Sequence, residues 1–234
     1  MLVLGITGGV GSGKSRVLSY LIEQHGAVAV EMDAVGRELM EPEGACFEAV
    51  AELFPEAVVF EEAAVSGKCL DREGVAEESS GKCMDQEGIA EATSYKRLDR
   101  GKIAEAVFGK PERLAALNGV IHPAVRRVGA ERMAEADAAG KPLFVMESAI
   151  LVEAGYADIC REVWYVYADA EVRKARLRQS RGYSDARTES VMASQLSEEA
   201  YMAGCDYRLD NGGDFAETAH AIDKRLKNLL RERP

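Results

Sequence analysis

The fold of this chain is set by its residues 2–15, which read LVLGITGGVGSGKS. The run from Leu2 to Thr7 is almost continuously apolar, which is typical of a strand buried on both faces of a sheet. From Lys14 onward apolar side chains recur at helical spacing, and Gly26 favours the end of that helix. Between strand and helix, residues 8–15 match the pattern GxxxxGK[ST], so the sequence predicts a phosphate-binding loop there.

Glycines in such a loop let successive backbone N–H groups surround phosphate oxygens, and the N-terminus of the next helix adds partial positive charge. Lys14 is expected to reach the β- and γ-phosphates, and the Ser15 hydroxyl is expected to coordinate Mg²⁺. The residues predicted to form this nucleotide site are Gly8, Gly9, Val10, Gly11, Ser12, Gly13, Lys14 and Ser15.

The 234 residues include 29 Lys and Arg and 40 Asp and Glu, which gives a formal net charge of −11. This excess of acids argues against wrapping nucleic acid or lying on anionic lipid, so an anionic ligand must be held locally. No apolar run approaches the roughly 18 residues that span a bilayer, and the start lacks the basic residues of a secretory signal. The sequence therefore predicts an intracellular protein, and we interpret its five widely spaced cysteines as reduced thiols.

Apolar stretches at 27–32, 142–146, 162–167 and 207–209 alternate with helical patterns. This alternation predicts an α/β fold with a parallel five-stranded sheet and helices on both faces. Residues 215–229 carry apolar side chains on one helical face and are expected to form a closing helix.

About 110 residues separate the second and third strands, far more than one crossover helix needs, so the sequence predicts an insertion there. The insertion is expected to be mainly helical. One helix is predicted to begin near Pro111, a residue favoured in a first helical turn, and another to cover 35–54 with an interruption around Pro42.

The insertion contains a repeat. Residues 66–77, SGKCLDREGVAE, recur at 80–91 as SGKCMDQEGIAE. Two copies are too few for a solenoid. We therefore interpret 66–91 as a duplicated loop tolerated at the surface, because a longer loop costs little entropy, or alternatively as a partner-binding arm.

Two acids stand at predicted strand ends. Asp33 is expected to close the second strand, at the edge where open α/β sheets bind ligands, and it could accept a proton from an acceptor hydroxyl. Alternatively, Asp33 caps the following helix. Glu147 ends the third strand and is expected either to orient magnesium or its waters or simply to face solvent.

The densest basic run of the chain extends from Arg173 to Arg187. Arginines on a closing segment can stabilise the charge of a transferring phosphoryl group, and Arg176 and Arg181 are predicted to do so. The other residues of the run are expected to form a solvated helix face. His122 is expected either to be structural or to contact an acceptor substrate.

Three classes of protein that bind nucleotides through such a loop can be compared with these features. A GTPase switch is disfavoured because the three DxxG matches are poorly placed and no NKxD or TKxD follows them. A non-catalytic ATP-binding module fits only if Asp33 is dispensable. A small-molecule kinase explains the phosphate loop, the strand-end acid, the insertion and the arginines together.

The residues also resemble the dephospho-CoA kinase family nearly from end to end. The segments that carry the resemblance are TGGVGSGKS at 7–15, MDAVGREL at 32–39, LDRGKIAEAVF at 98–108, LNGVIHP at 117–123, SRGYS at 180–184, SQLS at 194–197 and LDNGG at 209–213. The resemblance implies transfer of the ATP γ-phosphoryl group to the ribose 3′-hydroxyl of dephospho-CoA, by a cytosolic enzyme that is a monomer or a homo-oligomer. It implies Asp33 as the base, Arg37 and His122 on the acceptor side, and Arg16 and Asn211 on the nucleotide side.

The family also implies a three-part fold. The expected parts are a nucleotide-binding core at 1–33, 140–175 and 204–234, a helical acceptor-binding insertion at 34–139, and a lid at 176–203. The chain departs from the family pattern at Arg16, where a small residue is usual, and in the duplicated loop. It departs again at residues 147–151, where ESAIL replaces the usual Asp-x-Pro-Leu-Leu.

Overall fold

The computed structural model describes residues 1–62 and 94–231, so the duplicated loop at 66–91 lies outside the described residues. The strands are β1 (Leu2–Thr7), β2 (Val28–Glu31), β3 (Val58–Glu62), β4 (Ser94–Leu98), β5 (Leu143–Glu147), β6 (Glu162–Tyr167) and β7 (Tyr207–Asp210). The helices are α1 (Lys14–His25), α2 (Met32–Leu39), α3 (Phe47–Leu53), α4 (Arg100–Val107), α5 (Pro111–Ala138), α6 (Ala170–Arg181), α7 (Asp185–Ala193), α8 (Glu198–Ala203) and α9 (Phe215–Arg231). None of these helices is both long and apolar enough to cross a membrane.

Five strands form one parallel sheet in the order β2-β5-β1-β6-β7. The first strand of the chain lies at its centre, where Leu4 pairs with Val145 on one side and with Glu162 on the other. This confirms the predicted fold class, and the predicted strand bounds differ from the observed ones by at most one residue at either end.

Alternate residues of the strands point into two separate hydrophobic clusters. On one face, Val145 belongs to a cluster with Leu21 of α1 and Leu226 of α9. On the other face, the next residue, Met146, belongs to a cluster with Val125 of α5. Helices therefore cover both faces of the sheet, as the sequence predicts, and each fully buried large apolar side chain contributes about 1.5–3 kcal/mol.

The chain divides into two compact units, Met1–Leu39 with Asn118–Pro234, and Met40–Leu117. The first unit contains the five-stranded sheet. The second contains α3, α4 and the antiparallel pair β3–β4. This second unit is shorter than the predicted insertion at 34–139, because α2 and most of α5 pack into a core cluster of the sheet, for example through Val35 and Val125.

Over its described residues the insertion is mainly helical, as predicted, and the antiparallel pair β3–β4 adds two strands that the sequence does not predict. In this pair Val59 lies opposite Arg97. Each strand has only five residues, and the duplicated loop separates the two in sequence, so no short turn signal joins them. The helix predicted to begin near Pro111 is present, and α2 and α3 are separated around Pro42 as expected.

Candidate active site

The parallel strands bring their carboxyl ends to one edge of the sheet. Gly8 follows β1 there, Glu147 is the last residue of β5, and Asn211 follows β7. The structure corrects the position of Asp33, which does not close β2. That strand ends at Glu31, and Asp33 lies in the first turn of α2.

The loop after β1 has a backbone that only glycine adopts easily. Gly8, Gly11 and Gly13 have φ values of 148°, 78° and 90°. A Cβ on Gly13 would lie 2.3 Å from the amide nitrogen of the Asn211 side chain. The loop therefore needs glycine both for its conformation and for its close packing, as a cradle of main-chain N–H groups does.

Lys14 begins α1 and folds back over the loop. Its Nζ donates a hydrogen bond to the Gly8 carbonyl at 2.9 Å and lies 3.5 Å from Oε1 of Glu147. Burial raises the pKa of the Glu147 carboxyl, and the nearby Lys14 ammonium opposes that rise. The strand-end acid is thus buried against the lysine, which argues against the interpretation that Glu147 simply faces solvent.

Arg176 and Asn211 both hold the Ser12 carbonyl. The Arg176 guanidinium donates to it from Nη1 at 3.2 Å, and the Asn211 amide donates from Nδ2 at 2.7 Å. Arg176 also donates from Nη2 to the Asn211 carbonyl at 2.7 Å. Asn211 is buried, and its side-chain oxygen accepts a hydrogen bond from Thr218. These two predicted residues therefore fix the backbone of the loop from one side.

Two further residues hold the loop that the sequence does not predict, Arg173 and Gln195. Arg173 donates from Nε to the Val10 carbonyl at 2.8 Å and from Nη2 to Oε1 of Gln195 at 2.6 Å. The same Gln195 oxygen accepts the Val10 N–H at 3.1 Å. The available signals were the basic run for Arg173 and the SQLS segment for Gln195, but neither shows which loop atom is bound.

The hydrogen bonds of Asp33 go to the residues that follow β5. Its Oδ1 accepts from the Ser148 hydroxyl at 2.8 Å, and its Oδ2 accepts from the Ala149 N–H at 3.3 Å. Ser148 is fully buried, whereas Asp33 is exposed and lines the cavity described next. Both of these hydrogen bonds of Asp33 go to residues outside α2, which disfavours the interpretation that Asp33 caps this helix.

A cavity of about 630 Å³ collects most of the predicted site residues. Its walls include Val10, Gly11, Gly13, Lys14, Ser15, Arg16, Asp33, Arg37, Glu147, Arg176, Arg181 and Asn211. Arg16 lies over the Phe215 ring of α9, with its Cζ 4.0 Å from the ring centroid. His122 lies on α5 and is not among the lining residues of this cavity.

The donor set of the cavity fits a magnesium-bound nucleotide. The buried Ser12 hydroxyl of the loop has no hydrogen-bond partner within the described residues. Ser15 and Glu147 place oxygen ligands in the cavity wall, and Mg²⁺ binds through one or two protein oxygens together with waters and phosphates. No group of three or more His, Cys, Asp or Glu in the described parts of the chain could hold a metal by itself, which Mg²⁺ does not require.

A parallel sheet whose first strand leads into a glycine-rich phosphate loop, with a lysine, an acid and arginines around one cavity, defines a P-loop kinase. A family model described as dephospho-CoA kinase matches residues 2–89 and 86–217. This chain belongs to the dephospho-CoA kinase family. The two matched segments overlap at 86–89, within the second copy of the repeat.

Similar proteins agree with this assignment. The chain is 27% identical over 234 residues to a dephospho-CoA kinase of Geobacter metallireducens, with 100% of both chains covered. It is similar to the crystal structure of TT1252 from Thermus thermophilus, at 29% identity with a TM-score of 0.72 and 97% of both chains covered. A dephospho-CoA kinase from Campylobacter jejuni shares the fold, with a TM-score of 0.57 at 17% identity over 97% of this chain and 96% of that one. The protein is accordingly a kinase that uses ATP as phosphate donor and acts on a small molecule.

Proposed function

We propose that this protein transfers the γ-phosphoryl group of ATP to the ribose 3′-hydroxyl of dephospho-CoA, giving coenzyme A and ADP. Family membership supports both substrates. The observation that carries the chemistry is that Lys14, Ser15 and Asp33 line one cavity. A phosphate-binding loop and a carboxylate therefore face the same space, as transfer to an alcohol requires.

We assign the binding of the triphosphate to the N–H groups of the loop and to the Lys14 ammonium. Arg16 and Asn211, which line the same cavity, are assigned to the nucleotide side on the strength of the resemblance. Ser15 and Glu147 would hold Mg²⁺ directly or through its waters. When bound, Mg²⁺ neutralises negative charge on the phosphate oxygens.

Asp33 acts as the general base in this proposal. Its carboxylate takes the proton of the acceptor hydroxyl as that oxygen bonds to the γ-phosphorus and the bond from phosphorus to the ADP oxygen breaks. The transfer is direct and in line, without a phosphoenzyme. Holding acceptor and nucleotide together supplies up to roughly 7–11 kcal/mol of the barrier reduction.

The arginines have separate roles in the proposal. Arg181 is exposed at the cavity wall and is available to the transferring phosphoryl group. Arg176 holds the loop through the Ser12 carbonyl and lines the cavity as well, so its contact with phosphate adds to that structural role. Arg37 is assigned to the acceptor side because it lies one helical turn after Asp33. His122 is kept there only on the strength of the resemblance.

The insertion at 34–139 is proposed to bind the acceptor, as the resemblance implies. The segment 176–203, which contains α7 and α8, is proposed to act as a lid that excludes water. The resemblance further supports a cytoplasmic enzyme, monomeric or homo-oligomeric. The net charge of −11 supports the absence of nucleic-acid and anionic-membrane partners.

The test offers purified protein Mg·ATP with a panel of hydroxyl acceptors and measures ADP release and the position of the new phosphate. We expect ADP only with dephospho-CoA and a phosphate on the 3′-oxygen.

Asp33→Asn and Lys14→Met should each lower kcat/KM by at least about a thousandfold. The control, Asp223→Asn, removes a carboxylate that also accepts a hydroxyl hydrogen bond but lies outside the cavity, and it should keep full activity. ADP formation with no acceptor at all, or full activity of Asp33→Asn, would contradict the proposal.

A further inference from the structure

The residues just after β5 contact both groups to which we assign chemistry. Glu147 lies 3.5 Å from the Lys14 ammonium. The next two residues, Ser148 and Ala149, donate hydrogen bonds to the two oxygens of Asp33. Two of these positions, Glu147 and Ala149, are also where the chain departs from the Asp-x-Pro pattern that its resemblance to the family implies. These two departures therefore lie directly against Lys14 and Asp33.

The Ser148 hydroxyl has a defined direction. Its Oγ accepts the Ile150 N–H at 3.2 Å and lies 2.8 Å from Oδ1 of Asp33. A hydroxyl has one proton to donate. Because the Ser148 oxygen already accepts the Ile150 N–H, its own proton points to the Asp33 carboxylate. Ser148 is fully buried, so water does not compete for this bond.

The backbone that carries these donors is fixed to β1. The Ser148 N–H donates to the Ile6 carbonyl at 3.1 Å, and the Thr7 hydroxyl donates to the Ala149 carbonyl at 3.4 Å. Ile6 and Thr7 are the last residues of the central strand, directly before the phosphate loop. The donors to Asp33 are thus held in register with the loop that binds phosphate.

Asp33 needs such an anchor because it is an exposed side chain. Arg37 lies four residues later on α2, the spacing at which an aspartate and an arginine attract each other. The Ser148 hydroxyl and the Ala149 N–H each donate to one carboxylate oxygen of Asp33. These two hydrogen bonds fix the plane of the carboxylate against the attraction of Arg37. The remaining lone pairs of the oxygens stay available for a proton.

We propose that Ser148 is a positioning residue, which together with the Ala149 N–H orients the Asp33 carboxylate for proton transfer. This inference rests on the proposed function, in which Asp33 is the base. Ser148 itself touches no reacting atom. Its effect is therefore expected on turnover and not on nucleotide binding.

The test compares Ser148→Ala with the unmodified enzyme at saturating acceptor. Loss of a hydrogen bond to a charged group should lower kcat by roughly 10- to 100-fold. The KM for Mg·ATP should stay within about twofold, because the contacts of the phosphate loop are unchanged. The matched control is Tyr20→Phe, which removes a hydroxyl donated to the Asp223 carboxylate outside the cavity, at 3.0 and 3.1 Å. The control should leave kcat unchanged.

A second variant separates hydrogen bonding from packing. Ser148→Cys fills nearly the same volume, but a thiol is a weak donor. If the hydrogen bond positions Asp33, Ser148→Cys should turn over almost as slowly as Ser148→Ala. If Ser148→Cys is fully active while Ser148→Ala is slow, the effect is one of packing and the inference is overturned. The inference is also overturned if Ser148→Ala keeps its kcat while its KM for Mg·ATP rises.

The outcomes also separate this inference from the proposed function. If Asp33→Asn is inactive while Ser148→Ala and Tyr20→Phe are equally active, the positioning role fails and Asp33 remains the base. If Asp33→Asn turns over at the unmodified rate, the base assignment fails, and the positioning role fails with it.

Discussion

Replacing Arg173 with alanine should weaken the use of ATP, because this side chain connects the phosphate loop to the segment after α7. Its guanidinium donates to the Val10 carbonyl at 2.8 Å and to Oε1 of Gln195 at 2.6 Å. The same Gln195 oxygen receives the Val10 N–H. Without Arg173, both the carbonyl and the glutamine lose a charged donor, and of the contacts between Val10 and Gln195 only the neutral hydrogen bond from the Val10 N–H is left.

The size of the effect follows from these two bonds. A hydrogen bond that involves a charged group contributes about 1.5–3 kcal/mol. Arg173 is half-buried, so we take about 2–3 kcal/mol for the pair together rather than the full sum. One factor of ten corresponds to about 1.4 kcal/mol, and the expected loss in kcat/KM for ATP is therefore about 30- to 150-fold. Most of it should appear in KM, since the loop binds phosphate in the ground state as well as in the transition state.

The assay follows ADP release at saturating acceptor while Mg·ATP is varied. Lys174→Ala is the control, because it removes the neighbouring cation of α6, which pairs with Glu171 at the surface. A Cβ on Gly9 would lie 2.3 Å from Nη2 of Arg173, so Gly9→Ala should displace the same guanidinium. The two changes should then be far from additive in the double variant. A KM for ATP within twofold of the unmodified value in Arg173→Ala, or additive losses in the double variant, would refute the reasoning.

Two further predictions concern stability. The variant Gly8→Ala should unfold about 5–10 °C lower than the unmodified protein. The φ of Gly8 is 148°, which disfavours a side chain, and the new Cβ would lie 2.5 Å from the Val166 carbonyl oxygen, a backbone atom that cannot move away by changing rotamer. A thermal midpoint within about 2 °C of the unmodified value would contradict this prediction. Burial raises the pKa of the Glu147 carboxyl above its usual value of 4.5, so its contribution to the free energy of unfolding is fully present below that value and is lost as the pH rises through the folded-state pKa. In Glu147→Gln this side chain does not titrate. Urea denaturation from about pH 4 to pH 8 should therefore show the free energy of unfolding of the variant rising with pH relative to that of the unmodified protein. A difference in the free energy of unfolding that stays constant over this range would argue against a raised pKa of Glu147.

The parts of the fold that the sequence predicts are those set by neighbouring residues. The phosphate loop follows from eight consecutive residues between an apolar strand and an amphipathic helix. Glu147 could be placed at the sheet edge because parallel strands end together there. For Asp33 the sequence predicts the correct edge but the wrong element, since the apolar run of β2 continues into Met32, which is already helical and buried.

The parts that the sequence does not predict depend on contacts between distant positions. Arg173 and Val10 are 163 positions apart, and Ser148 and Asp33 are 115 apart. Residue types alone do not show which of the six basic side chains between Arg173 and Arg187 reaches a given carbonyl of the phosphate loop. The place of His122 depends in the same way on the rotation of α5 about its axis, and the cavity is lined without it.

The contrast between net charge and ligand charge has a local explanation. The chain has a net charge of −11, yet its kinase site must hold a triphosphate. Charges more than about 8 Å apart are largely screened at physiological salt, so distant surface acids count for little. Within the cavity wall, Lys14, Arg37 and Arg181 are close enough to act. Of the acids in the same wall, Glu147 lies beside Lys14 and Asp33 accepts two hydrogen bonds, while Glu31 lines the cavity as well. In the proposed function, the cations thus attract the polyanion and the Asp33 carboxylate stays available to accept a proton.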